Sequence, residues 1–179
     1  MKAVLLFFYS IIAYLAGFAS ILLWIASVSN LVPEISIDGE RLLPLWQAAL
    51  VNLGLVLLFG LHHSITARKS FKNWLTKHIP APVERSTFVL AAGILLALMV
   101  LNWQPLGGMI WSIPEGSPLY YLMYVLFFSG WVILFVSSFL INHFDLFGLR
   151  QTFLELQGKP YTCLLYTYQS PRDISAYLV

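Results

Sequence analysis

Long apolar runs dominate the chain, and short polar stretches punctuate them. A helix that crosses about 30 Å of hydrocarbon needs ~20 mostly apolar residues. Four runs meet that length, at about 3–28, 42–61, 87–103 and 119–141. The first and fourth carry no charge, and only Gln47 and Asn52 interrupt the second. Pro44, Pro105 and Pro118 fall near the ends of the runs, where a missing N–H costs least. Trp46, Trp103 and Trp111 sit near the same boundaries, as interfacial tryptophans do. The pattern predicts an all-α polytopic membrane protein with four spanning helices.

The first run begins after Lys2 and ends near the small-x-small triplet Ser27-Val28-Ser29, two features of a signal peptide. Its apolar stretch is far longer than the ~7–15 residues of a signal core. Ala13/Gly17 and Ala16/Ser20 also give the small-xxx-small spacing that lets helices approach closely in lipid. It is read as a retained span. Between the second and third spans, Phe71, Trp74, Leu75, His78 and Ile79 recur at helical spacing, with Lys69, Lys72, Asn73, Thr76 and Lys77 on the other face. This predicts an amphipathic helix, either lying in the membrane surface or packed on loops of the same protein, ended by Pro80 and Pro82.

Composition narrows the classes. The chain has 179 residues, 59% hydrophobic and 10% charged, against ~25% charged in soluble domains. A net charge of +2 is too weak for phosphate binding, so no nucleic-acid partner is expected. Cys163 is the only cysteine, which excludes a disulfide scaffold. Loop charge then sets an orientation. Arg68, Lys69, Lys72, Lys77 and Arg85 occupy the second loop, and Arg150, Lys159 and Arg172 follow the fourth span. Glu34, Asp38, Glu40 and Glu115 fall in the other two loops, beside a single Arg41. The positive-inside rule places the second loop and both termini in the cytoplasm.

Three polar clusters gather at that predicted cytoplasmic face: His62-His63-Ser64, Glu84-Arg85-Ser86, and Asn142-His143 with Asp145 and Arg150-Gln151. Adjacent histidines on a helix point ~100° apart and cannot comfortably share a metal, so no metal site is expected from spacing. For His62 and His63, interfacial hydrogen bonding competes with a general-base role and with axial haem ligation alongside His143. In the third cluster, Asn142, Asp145 and Leu149 fall on one face of a continuous helix, and His143 and Phe147 on another. A carboxylate there could pair with Arg150 or orient a histidine. A solvated helix end broken by Gly148 is the plainer reading. Glu84-Arg85 reads as a helix-start carboxylate beside an anchoring arginine.

Several stretches resemble a known family. They are His63-Ser64 with Ala67-Arg68; Pro82 with Glu84-Arg85-Ser86-Thr87-Phe88-Val89-Leu90; Trp103-Gln104-Pro105-Leu106; Trp111-Ser112; Gly130-Trp131; and the run from Ser138 to Gln151. In this order they resemble the methanethiol S-methyltransferases, grouped with nurim and NnrU and distantly similar to isoprenylcysteine carboxyl methyltransferases. Relatives commonly have Gln-His-Ser where this chain has His62-His63-Ser64. The resemblance implies methyl transfer from S-adenosylmethionine to a small thiol, methanethiol giving dimethyl sulfide, at a bacterial inner membrane. It implies His63, His143 and Asp145 as catalytic residues, with Asn142 and Arg150 orienting the substrate. A non-catalytic nurim/NnrU-type protein and a haem- or metal-binding subunit are the alternatives.

The resemblance also predicts a division of the chain. Residues 1–157 read as the transmembrane domain and 158–179 as an atypical tail. Family members follow a Leu-Tyr-x-Tyr stretch with Arg-His-Pro, in the region that binds the methyl donor. Here Leu165-Tyr166-Thr167-Tyr168 is followed by Gln169-Ser170-Pro171-Arg172. The tail is therefore expected to be truncated or frameshifted, with the donor motif missing.

Overall fold

The computed structural model describes residues 1–108 and 111–161. Every regular element among them is helical. Helices α1 (Lys2–Val28), α2 (Leu45–Thr66), α4 (Glu84–Leu101) and α5 (Pro118–Ile141) are the four long ones. Each is long and apolar enough to cross a membrane. Between them lie α3 (Lys69–Leu75) and, after α5, the short α6 (His143–Leu146) and α7 (Leu149–Leu156). Short 3-10 turns at Pro33–Ile35 and Ala81–Val83 lead out of α1 and into α4.

Boundaries move by a few residues from those expected, for local reasons. Helix α2 runs past Leu61 to Thr66, because histidine and serine continue a helix that hydropathy alone would stop. Its last turn is tightened by Thr66 Oγ1, which donates to the His62 carbonyl at 2.7 Å. Helix α4 starts at Glu84, three residues early, since Pro82 occupies the preceding 3-10 turn. Ser117 caps α5 by accepting from the Tyr120 N–H at 3.2 Å, and Pro118 fills the first position.

The tightest helix pair is α1 with α4, and the two run parallel. Ser10, Ala13, Gly17, Ser20 and Ser27 are the buried residues of α1, so its inner face is a stripe of small side chains. That stripe meets Gly93 so closely that a Cβ on Gly93 would stand 2.8 Å from Gly17 Cα. Close approach of this kind maximises van der Waals contact where lipid supplies no hydrophobic drive between helices. Tyr9 Oη and Thr87 Oγ1 meet at 2.9 Å, and Ser86 Oγ lies 2.7 Å from Ser10 Oγ. Helix α2 packs on α4. Asn52 is buried and bridges to the Gln104 backbone, donating to its carbonyl at 2.7 Å and accepting its N–H at 2.9 Å.

Helix α5 leans on α1 through aromatic rings rather than close backbones. Trp131 meets Trp24 edge-on at 5.6 Å, Phe135 meets Phe18 at 5.5 Å, and Tyr124 Oη donates to the Ser29 carbonyl at 2.8 Å. No residue of α5 is buried, and Val132, Ile133 and Leu140 stand open. Such faces suit hydrocarbon, where the satisfied backbone of a helix needs no water.

Helix α3 is shorter than the amphipathic stretch predicted from 71 to 79, and continues as a turn through His78 and Ile79. Phe71, Leu75 and Ile79 are half-buried, whereas Trp74 and His78 are exposed, their rings meeting at a tilt at 4.9 Å.

Candidate functional site

The three polar clusters come together at one end of the helices. Arg85 Nε donates to the Leu146 carbonyl at 2.7 Å, tying the start of α4 to α6. Ser86 Oγ lies 3.1 Å from the Gly148 carbonyl, tying it to α7. On the other side of α4, Phe88 stacks against His62 at 6.3 Å and meets His63 at a tilt at 5.2 Å. The basic second loop lies at this end too.

The chain after α5 does not continue as one helix. Asn142 adopts φ 147 and ψ 87, a conformation that costs a non-glycine residue about 1–3 kcal/mol. The predicted common face of Asn142, Asp145 and Leu149 therefore does not form. Instead Asn142 caps α6, its side-chain oxygen accepting the Asp145 N–H at 3.2 Å. Gly148, at φ 89, then turns the chain into α7. The two corners fold the segment back against α1 and α4, which buries His143 and Asp145 to 2% and 4% exposure.

His143 is held at both ring nitrogens. Ser138 Oγ donates its one proton to the Phe135 carbonyl at 2.7 Å, so toward His143 Nδ1, 2.8 Å away, it must accept. Nδ1 thus carries the proton, and Nε2 accepts from Tyr14 Oη at 3.0 Å. The ring is stacked on Phe139 at 4.2 Å and flanked by Phe144 and Phe147. Burial lowers its pKa from the ordinary histidine value, in keeping with a neutral imidazole. Both nitrogens being engaged, the haem reading finds no free one on His143. Among the described residues, no cluster of three metal-ligating side chains occurs.

Asp145 organises the other half of the corner. Its Oδ1 accepts from Tyr161 Oη at 2.8 Å and from Gln151 Nε2 at 3.0 Å. Its Oδ2 faces Arg150 Nη1 at 3.7 Å, an ion pair too long for a hydrogen bond. Asp145 Oδ2, Arg150 Nη1 and Gln151 Oε1 are all buried without a hydrogen-bond partner. Buried polar atoms in this state are costly and ask for a partner from outside the protein.

Asp145 and Gln151 line a cavity of about 560 Å³ together with Lys72, Glu84, Arg85, Glu155 and Lys159. Tyr161 closes part of its wall. Lys72 and Glu84 pair across it at 3.8 Å. Of the five site residues read from the sequence, the structure brings Asn142, His143, Asp145 and Arg150 together on the α6–α7 corner. His63 stands elsewhere, exposed at the end of α2, stacked on Phe59 and tilted against Phe88. Tyr14, Ser138, Gln151 and Tyr161 were not anticipated. Gln151 was visible as part of the polar run, but only the fold turns it toward Asp145. Cys163 and the 165–172 stretch of the predicted tail lie outside the described residues.

Fold and site define an all-α membrane protein with four candidate spans and a polar cavity at one end. Over most of its length the chain is homologous to proteins named methanethiol S-methyltransferase, as the resemblance in its motifs implied. It is 40% identical over 158 residues to that of Crocosphaera subtropica, covering 87% of this chain and 61% of the relative. With that of Mycobacterium tuberculosis it shares 38% over 164 residues, covering 90% and 66%. Bovine nurim is more distant, at 28% over 127 residues, 68% of this chain and 46% of nurim. The chain thus spans less than two thirds of the length of these relatives. No protein-family profile and no solved structure matches it.

Proposed function

We propose that this chain forms the membrane-embedded part of an S-adenosylmethionine-dependent methyltransferase that converts methanethiol to dimethyl sulfide. The carrying observation is the 560 Å³ cavity lined by Asp145 and Gln151, in a chain with these relatives. Its volume is within the ~300–1,000 Å³ of small-molecule sites. The lining suits a ligand that is at once cation, anion and hydrogen-bond donor. Glu84, Asp145 and Glu155 would hold its ammonium and sulfonium charges, and Lys72, Arg85 and Lys159 its carboxylate. When bound, S-adenosylmethionine supplies a methyl group on a positively charged sulfur.

The protein's own part is placement and electrostatics. Asp145 presents a carboxylate whose position is set by Tyr161, Gln151 and Arg150. Asn142 orients it by capping α6. His143, neutral and pinned by Tyr14 and Ser138, positions the corner without itself lining the cavity. His63 lies on the α2 side of α4, where it neighbours the site instead of joining Asp145.

The polar end is read as cytoplasmic from the lysines and arginines that collect there, with Lys2 at the same end. Helix α3 then lies at the membrane surface with Trp74 toward the headgroups. A bacterial inner membrane fits this placement and the bacterial relatives. For the test, membranes containing the chain, alone and fused to the C-terminal remainder of the Crocosphaera subtropica relative, receive methyl-labelled S-adenosylmethionine and methanethiol. Labelled dimethyl sulfide is expected in the headspace, and an Asp145→Asn substitution should reduce it. If neither protein makes it, the reading fails.

A further inference from the structure

A second, smaller cavity lies on the opposite side of α4 from His143. It measures about 90 Å³ and is lined by His62 and Thr66 of α2, Phe71 and Leu75 of α3, and Glu84, Thr87, Phe88 and Ala91 of α4. It has about three times the ~30 Å³ that one water occupies in the liquid, and less than the ~150 Å³ of a cavity that takes benzene. It therefore admits an apolar molecule of a few heavy atoms.

Its polar content is specific. Thr66 Oγ1 donates to the His62 carbonyl and Thr87 Oγ1 to the Val83 carbonyl at 2.8 Å, so both hydroxyl protons are spent. His62 Nδ1 is buried with no hydrogen-bond partner. The ring is fixed by its stack on Phe88, with the planes 14° apart. In the tautomer that carries its proton on Nε2, His62 Nδ1 is a buried acceptor with no partner in the protein, in a cavity whose other polar groups are Glu84 and the two threonine hydroxyls. One more feature gives the chamber a context: Glu84 lines both this cavity and the 560 Å³ one. A small and a large site share one residue as a wall.

We infer that the small cavity is the seat of the acceptor thiol, with apolar carbon against Phe71, Leu75, Phe88 and Ala91 and the S–H donating to His62 Nδ1. The inference rests on the methyltransferase reading for the identity of the ligand, and it makes His62 rather than His63 the histidine that meets substrate. Phe71 and Leu75 bring α3 into the site as one of its walls.

The test is binding, which needs no turnover. The chain in lipid nanodiscs is mixed with ¹³C-methanethiol, and saturation transfer from protein to the labelled methyl is recorded against empty nanodiscs. Transfer above the lipid background is expected, displaced by ethanethiol but not by the bulkier 2-methyl-2-propanethiol. Ala91→Leu, which fills the chamber, should weaken binding at least tenfold. His62→Phe, which keeps the ring stack and removes the acceptor, should weaken it severalfold. Gly54→Ala, with nothing within 4 Å of the added Cβ, should leave it unchanged and serves as the folding control. Binding that ignores both Ala91→Leu and His62→Phe, or that shows no size limit, overturns the inference. The two readings can fail separately. A fusion that methylates methanethiol with an unchanged KM in the Ala91→Leu background removes the cavity assignment and keeps the reaction. Size-limited binding that depends on Ala91 and His62, with no dimethyl sulfide from the fusion, does the reverse.

Discussion

Replacing Gly148 by alanine should break the corner that buries Asp145. Two costs can be worked from the structure. Gly148 sits at φ 89, and holding an L-residue in left-handed backbone costs roughly 1–2 kcal/mol. The added Cβ would also stand 2.6 Å from both the backbone N and the Oγ of Ser86, and 3.0 Å from its Cα. The obstacle is largely backbone of α4, which cannot swing aside as a side-chain tip would. Overpacking of this kind costs about 1–3 kcal/mol, so the total is roughly 2–5 kcal/mol. The assay is thermal or denaturant unfolding in detergent, with Gly130→Ala as reference, since nothing lies within 4 Å of a Cβ there. The substitution should also loosen Ser86 from the Gly148 carbonyl and from Ser10, so that α7 and the start of α4 separate. A loss below about 0.5 kcal/mol, the range of ordinary surface substitutions, would refute the reasoning.

Gly93→Ala should widen the α1–α4 pair, because its Cβ meets Gly17 backbone at 2.8 Å, whereas Gly60→Ala should be silent in the same unfolding assay. Ser138→Ala strands the buried Nδ1–H of His143 and should cost about 1–3 kcal/mol in unfolding free energy. Burial depresses the folded pKa of His143, so its neutral form stabilises the fold fully above the unfolded value of about 6.5. That stability should fall away as pH drops below this value, and a melting series from pH 8 to 5 should show a shallower acid loss in His143→Asn. Asn52→Leu removes both bonds to the Gln104 backbone and should lower stability by about 1–3 kcal/mol, read from the same melts.

Much of the fold was legible because lipid imposes length and apolarity on every span. The ends were less so, since hydropathy stops at the first polar residue while a helix such as α2 carries His62, His63 and Ser64 onward. The small stripe on α1 announced a close partner but could not name it. Nothing local to Gly17 distinguishes Gly93 from Gly54 or Gly60, and only the fold makes the choice. The α6–α7 corner was half visible. Gly148 signalled a break, but the sharper turn falls on Asn142, whose preference for caps and turns is weaker than glycine's and does not by itself end a helix. His143, Asp145 and Arg150 therefore share one corner, on faces other than those a continuous helix would give them. Tyr161 could not be foreseen as a partner of Asp145, because it lies beyond Gly158 in a segment with no periodic signal. His62 differs from His63 only in what covers it, and the sequence is silent on that.

The parallel pairing of α1 with α4 fixes an order of assembly. Parallel neighbours cannot form a simple hairpin, so the chain must cross back through α2 before α1 can meet its mate. During synthesis the face bearing Ser10, Gly17 and Ser20 waits in the bilayer until Gly93 has been made. The wait is cheap at Ser20, because its hydroxyl already donates to the Gly17 carbonyl at 2.7 Å within its own helix. Close packing here follows insertion and cannot guide it. A lesion at Gly93 would leave a fully inserted chain whose first helix never docks, a defect of maturation visible as turnover in the membrane and not as failure to enter it.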